Sequence, residues 1–310
     1  MIDTLPKGAL KDEIDSRDFR LETLAALPPA DFSKGSGLPR PPLKDQNSSD
    51  SCVAHAWSYY HWQLKTKDFS CRDLFARIAQ SYGAVIRDGG LAIVKAGQAT
   101  TDEVSDPNPE TPQNMRDAAG VTAAKESSDR EFDSFVMGSD VDSVASAILA
   151  YKGVVFGVQG TNEGWQNLTV PEPPKPNDVE IAGKVWGHAL YAVDFHMHTN
   201  ADGSQEKCII AVTSWPSAGI TEHHIRQHYF ATNMTFNPWT LIPKPLTQNN
   251  MQLIRDNGTI FLVSTDKTSK IGIGNADVLT GFFPTEIVTD GDISHIPQIG
   301  TLADGVILHK

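Results

Sequence analysis

Between residues 52 and 67, apolar and aromatic side chains fall at Val53, Ala56, Trp57, Tyr60 and Leu64. That i, i+3, i+4, i+7 rhythm predicts a helix buried on one face. A second helical pattern runs from Arg72 to Tyr82, and Asp88-Gly89-Gly90 then punctuates the chain before a short third helix over Leu91–Ala96. Residues 100–140 are polar and carry Asp106-Pro-Asn-Pro-Glu-Thr-Pro112, which predicts a long surface excursion. Val141–Tyr151 returns to helical spacing behind Asp140 as a cap.

The second half changes period. Gly153–Val158 reads as a buried strand, and Val185–His198 alternates as a strand should. Val185, Gly187, Ala189, Tyr191, Val193 and Phe195 are expected on one face, and His188, Leu190 and Ala192 on the other. The turn signal Asn200-Ala-Asp-Gly203 joins this strand to Lys207–Trp215 as an antiparallel hairpin, which would bring His188 and Thr213 to one end of a sheet. Residues 1–44, rich in Pro, Asp and Lys, read as an extended strap. The main domain is expected over 45–236. Pro238, Pro243 and Pro245 suggest a linker over 237–250, and short strand patterns such as Thr259–Val263 and Lys270–Ile273 suggest a small β-rich module over 251–310. Helices first and strands second make the class α+β.

The chemistry enters at Gln46-Asn-Ser-Ser-Asp-Ser-Cys52. A cysteine at a helix N-terminus lies where unpaired N–H groups and the helix dipole favour thiolate over thiol. Gln46, six residues earlier, can fold back so that its amide and the Cys52 backbone N–H form two donors for an oxyanion. His188, in Gly187-His188-Ala189, can supply the base. Together they are the inventory for acyl transfer by a thiolate.

These segments resemble the papain-like cysteine peptidases, in the chain order Cys, His, then a polar residue before Ser-Trp. The likeness is to a bacterial and viral branch, with Asp15-Ser-Arg-Asp-Phe19 and the stretch from Pro41 to Gln46 ahead of the cysteine, and it covers residues 12 to 232. It implies a two-lobed fold with the site between the lobes. In that reading Cys52 is the nucleophile, His188 the base, Gln46 the oxyanion donor and Trp215 a shield against water. Gly89 and Gly90 would then hydrogen-bond an extended substrate. Three departures stand out. Asp50 places a carboxylate on the substrate side of the nucleophile, and no prosegment of the usual length precedes Gln46. Thr213 stands where the family has its histidine-orienting asparagine; a hydroxyl can accept from the imidazole N–H, but it is shorter.

Composition narrows the field. The chain has 310 residues, 40% hydrophobic and 21% charged, ordinary for a soluble globular protein. A net charge of −12 argues against binding nucleic acid through phosphates. No apolar run reaches the roughly 20 residues of a membrane span, and the N-terminus lacks a signal pattern, so synthesis in the cytoplasm is expected, with release by lysis or carriage in a virion also compatible. Cys71 and Cys208 are expected as buried thiols. His196 and His198 share a strand face and His224 and His228 stand four apart on an expected helix. No carboxylate or cysteine completes a tetrahedral set with them, so no metal is expected, and the chemistry requires no cofactor. The expected activity is hydrolysis of peptide or isopeptide bonds. The alternatives are a weakened peptidase scaffold serving as a binding or structural component of a virion or cell wall, and a wall-lytic endopeptidase. The last two would use the C-terminal module for attachment.

Overall fold

The computed structural model describes residues 5–12, 21, 27–117, 132–136, 140–178 and 185–243, together with the backbone of five strands beyond them. Asp15–Phe19 and the stretch 244–250 lie outside the described residues. In chain order the elements of the first unit are β1 (Ala9–Leu10), α1 (Cys52–Lys65), α2 (Cys71–Ile78), β2 (Ala84–Val85) and α3 (Ile86–Ala96). There follow α4 (Pro112–Met115), β3 (Phe132–Val136), α5 (Val141–Tyr151), β4 (Val154–Gly160) and β5 (Trp186–Thr199). The unit closes with β6 (Gln205–Val212), β7 (Glu222–Arg226), α6 (Gln227–Ala231) and β8 (Thr235–Pro243).

One antiparallel sheet, ordered β3-β8-β4-β5-β6-β7, forms the wall between two cores. On one side α1, α2 and α3 pack around Trp57, Leu74, Phe75 and Ile93, against the sheet residues Val155, Ala189, Tyr191 and Trp239. On the other, α5 packs with Val154, Phe156, Leu190, Ala192 and Ile209, which also meet Trp165, Trp215 and Tyr229. Alternating residues of β4 and β5 thus feed opposite cores, as the period of a strand requires.

Several expectations are corrected here. Phe195 joins Leu190 and Ala192 in the second core and meets Phe32 with ring centroids 5.1 Å apart. A register shift between Ala192 and Asp194 inserts one extra residue and reverses the faces beyond it. The third helix begins at Ile86, so Gly89 and Gly90 lie inside it and are buried. A side chain on Gly89 would strike the Trp57 ring at 2.3 Å, so glycine here permits close packing of α3 on α1. Residues 237–243 are part of β8, paired to β4 and β3 with Trp239 and Leu241 in the first core, and are no linker. Pro238 sits beside an irregular step in the β4 pairing, where a missing N–H costs little.

The chain divides into two compact units at Pro243/Lys244. In the second, β9 (Met251–Asp256), β10 (Thr259–Ser264), β11 (Lys270–Ile273), β12 (Thr289–Asp290) and β13 (Gln298–Leu302) form a sheet ordered β12-β9-β10-β11-β13. No helix among the described residues is long and apolar enough to cross a membrane.

Candidate active site

Cys52 opens α1 and is fully buried. Burial pushes its thiol up to about 12, against the lowering pull of the Ala189 backbone N–H and of His55. The Ala189 contact brings the sulfur to the segment of β5 that carries His188. His188 is itself buried. Its Nε2 lies 2.9 Å from the Thr213 hydroxyl, and its ring stacks on Trp215 at 3.9 Å with the planes 14° apart. Its Nδ1 has no hydrogen-bond partner among the described residues. With Nε2 donating to Thr213, Nδ1 carries the lone pair a base needs. Burial, and then the nearby His223, Lys7 and His55, hold the His188 pKa well below the ordinary imidazole value. Both shifts favour the neutral forms of thiol and imidazole while the site is covered.

Gln46 is buried on the loop before α1, and Ser214 holds it twice: the Gln46 N–H donates to the Ser214 carbonyl at 3.1 Å, and the Ser214 hydroxyl donates to Oε1. With Oε1 fixed, Nε2 is directed to Ser49 O at 2.7 Å and to Pro6 O at 3.4 Å. Thr213, Ser214 and Trp215 thus act in sequence: one residue on the histidine, the next on the glutamine, the third on both the histidine and the N-terminal strap.

That strap covers the site. Pro6 O accepts from Trp215 Nε1 at 2.9 Å, and Lys7 O accepts from the Tyr82 hydroxyl at 2.9 Å. Gly8 N–H donates to Gly187 O at 3.1 Å, Gly8 O accepts from Ala84 N–H at 2.8 Å, and β1 then runs parallel to β2. Gly89 and Gly90, the edge expected from the sequence, lie inside α3, whereas the backbone edge that pairs with the strap is Ala84–Val85. Gly83, with φ of +64°, turns the chain into that edge. Farther on, Asp12 and Asn237 exchange two hydrogen bonds of 3.0 and 2.9 Å.

Asp50 does not face an open substrate site. It is buried, forms a two-pronged pair with Arg116, and accepts from Gly83 N–H at 2.5 Å. Burial opposes its charge, but these donors leave its pKa below the ordinary carboxylate value. Sequence reasoning also missed His55 and Glu110, buried with Nε2 and Oε1 3.3 Å apart. Burial again opposes the charge, but Cys71 and Glu110 hold the His55 pKa well above its usual value, one turn from Cys52. The spacing of His55, three residues after Cys52, was the available signal; nothing local marks Glu110, which comes from the polar excursion.

A cysteine opening a buried helix that packs on an antiparallel sheet, beside the strand that carries a histidine, belongs to a fold shared with the papain-like cysteine proteases. The chain is similar to xylellain, a cysteine protease from Xylella fastidiosa, at 19% identity and a TM-score of 0.58, over 78% of this chain and 97% of that one. It is also similar to procathepsin L 3 of Tenebrio molitor, at 12% identity and a TM-score of 0.51, over 78% and 76%. A third likeness is to the cysteine protease and lectin-like domains of Cwp84 from Clostridium difficile, at 12% and 0.51, over 84% of this chain and 61% of that one. No protein-family model and no curated protein sequence matches the chain.

Proposed function

We propose that the protein is a cysteine-type peptidase whose site is closed by its own N-terminal strap. The observation that carries this reading is the state of His188: plane fixed by Trp215, Nε2 engaged by Thr213, and Nδ1 left without a partner beside the segment that meets the Cys52 sulfur. Once the strap leaves, water reaches the cleft and the desolvation that keeps both groups neutral falls. The Cys52 proton passes to His188 Nδ1, and the thiolate attacks the scissile carbonyl. Gln46 Nε2, released from Pro6 O, and the Cys52 backbone N–H stabilise the oxyanion, and His188 returns the proton to the leaving amine.

Cleavage of a generic casein or fluorogenic peptide substrate by the strap-free chain tests this. Cys52→Ala is expected to abolish turnover with the fold intact, and Gln46→Ala to lower it by roughly 10²–10³-fold. Hydrolysis that survives Cys52→Ala sinks the reading. A second reading, a binding scaffold with a disused site, is favoured by the thiol's high pKa and complete burial. It predicts no turnover after strap removal.

A further inference from the structure

We propose that His196, His198 and His224 form a binding site for one divalent transition ion, zinc foremost, at the end of the sheet away from Cys52. His196 and His198 are two apart on β5 and so share a face, while His224 lies on β7, not on a helix. The strand between them, β6, presents Cys208 opposite His196 and Ile210 opposite His224. Strands two places apart are separated by roughly 9.5 Å. The His196 and His224 rings nevertheless close to 5.0 Å between centroids, so both lean over β6. Cys208, small and buried, leaves them the room.

The three histidines offer one ring nitrogen each within 4.8 Å of one another. His196 Nε2 and His224 Nδ1 are 3.2 Å apart. Zinc–nitrogen bonds of 2.0–2.1 Å at a tetrahedral angle require a nitrogen–nitrogen edge of about 3.3 Å. One edge of the coordination polyhedron is therefore already at its length. All three residues are half-buried, which leaves a fourth position for water. An all-imidazole set with an open position suits zinc, copper or nickel and disfavours magnesium or calcium.

Carboxylates stand beside the set: Asp194 and Glu222, both paired to Arg40, and Glu206, which lies opposite His198 and is paired to Arg226. His228, the fourth histidine of this region, is occupied by Glu206 and Glu172 at 3.0 and 2.8 Å and stands outside the set. Bound metal would clamp β5 to β7 across β6.

The test is a titration of the full chain, carrying Cys52→Ala to remove the thiol of the candidate active site, with cobalt(II) followed by zinc competition. One equivalent of cobalt with visible bands of tetrahedral intensity, displaced by one equivalent of zinc, is expected. His196→Ala and His224→Ala should each weaken binding by more than the roughly 10–100-fold typical of losing an outer-shell partner. His228→Ala should leave it unchanged, and circular dichroism identifies any variant that has lost its fold. Absence of stoichiometric binding, or binding that persists in the folded double variant, overturns the proposal. In that case the 3.2 Å contact is a histidine–histidine hydrogen bond alone.

Discussion

Gly8→Ala should open the site. Gly8 does not adopt the left-handed conformation, so alanine there carries no backbone strain of its own. Its Cβ would, however, lie 2.1 Å from Asp50 O and 2.8 Å from the Asp50 carbonyl carbon. Asp50 cannot retreat, being held by Arg116 and by Gly83 N–H. The strap must shift instead, and it loses the two backbone hydrogen bonds that Gly8 makes to Gly187 and Ala84. At about 0.5–1.5 kcal/mol each, that favours the open form by roughly 1–3 kcal/mol, or about 5–150-fold in population. The readout is Cys52 alkylation by iodoacetamide, followed by intact mass. With a thiol pKa of about 12, the covered form holds about one thiolate in 10⁵ molecules at pH 7, against about three in a hundred for an ordinary thiol. Labelling then proceeds only through the open population, and its rate should rise by the same 5–150-fold. The signs with pH follow. Covered, the thiol ionises only as pH approaches 12 and His188 stays neutral above its lowered pKa; open, an assembled thiolate–imidazolium pair labels even at pH 6. Cys208, buried in β6, should remain unlabelled, and peptide mapping separates Cys52 from Cys71, which shares its core. Equal rates for Gly8→Ala and the parent chain would refute the reasoning, since the strap would then not be what covers the sulfur.

Thr213→Val removes the hydroxyl that meets His188 Nε2 and should strand that buried N–H, a loss of about 1–3 kcal/mol. Peptidase turnover of the open enzyme should fall about 5–150-fold, while Thr213→Asn should match or exceed the parent; a large loss with asparagine would give threonine a role that the amide cannot fill. Arg116→Ala strands the Asp50 carboxylate and should lower stability at pH 7 by about 1–3 kcal/mol in urea melts. Because the pKa of Asp50 is depressed by folding, its contribution is full above the unfolded value near 4 and fades as pH falls through the lower folded value. The variant's deficit should therefore shrink in acid, and a deficit that grows below pH 4 would contradict the pairing.

The spacing of Cys52, His188 and Thr213-Ser214-Trp215 marked residues that stand at local elements, a helix start, a strand and a strand end, whereas Gln46 lies on a loop. The α+β class followed from the switch of period at Gly153, and the two lobes from the family resemblance. What could not be read depends on contacts distant in sequence. Gly89-Gly90 looks like a chain breaker but serves the approach of α3 to Trp57, and the edge it was expected to supply comes from Ala84–Val85. Asp50 seemed free because Arg116 is 66 positions away. The prolines of β8 suggested a linker, although Trp239 and Leu241 anchor that stretch in the core. Ser214 as the tether of Gln46 spans 168 positions. His224 was assigned to a helix because four-residue spacing suits one, whereas β7 ends and α6 begins between it and His228.

The strap is held largely through its main chain: Pro6 O, Lys7 O and Gly8 O accept hydrogen bonds, and Gly8 N–H donates one. Side chains add to the clasp: Lys7 Nζ lies 5.0 Å from the Trp186 ring centroid, Ala9 is buried in the first core, and Asp50 O admits no methyl group at Gly8. A competing chain would have to match both this backbone pattern and these side-chain contacts to take the strap's place.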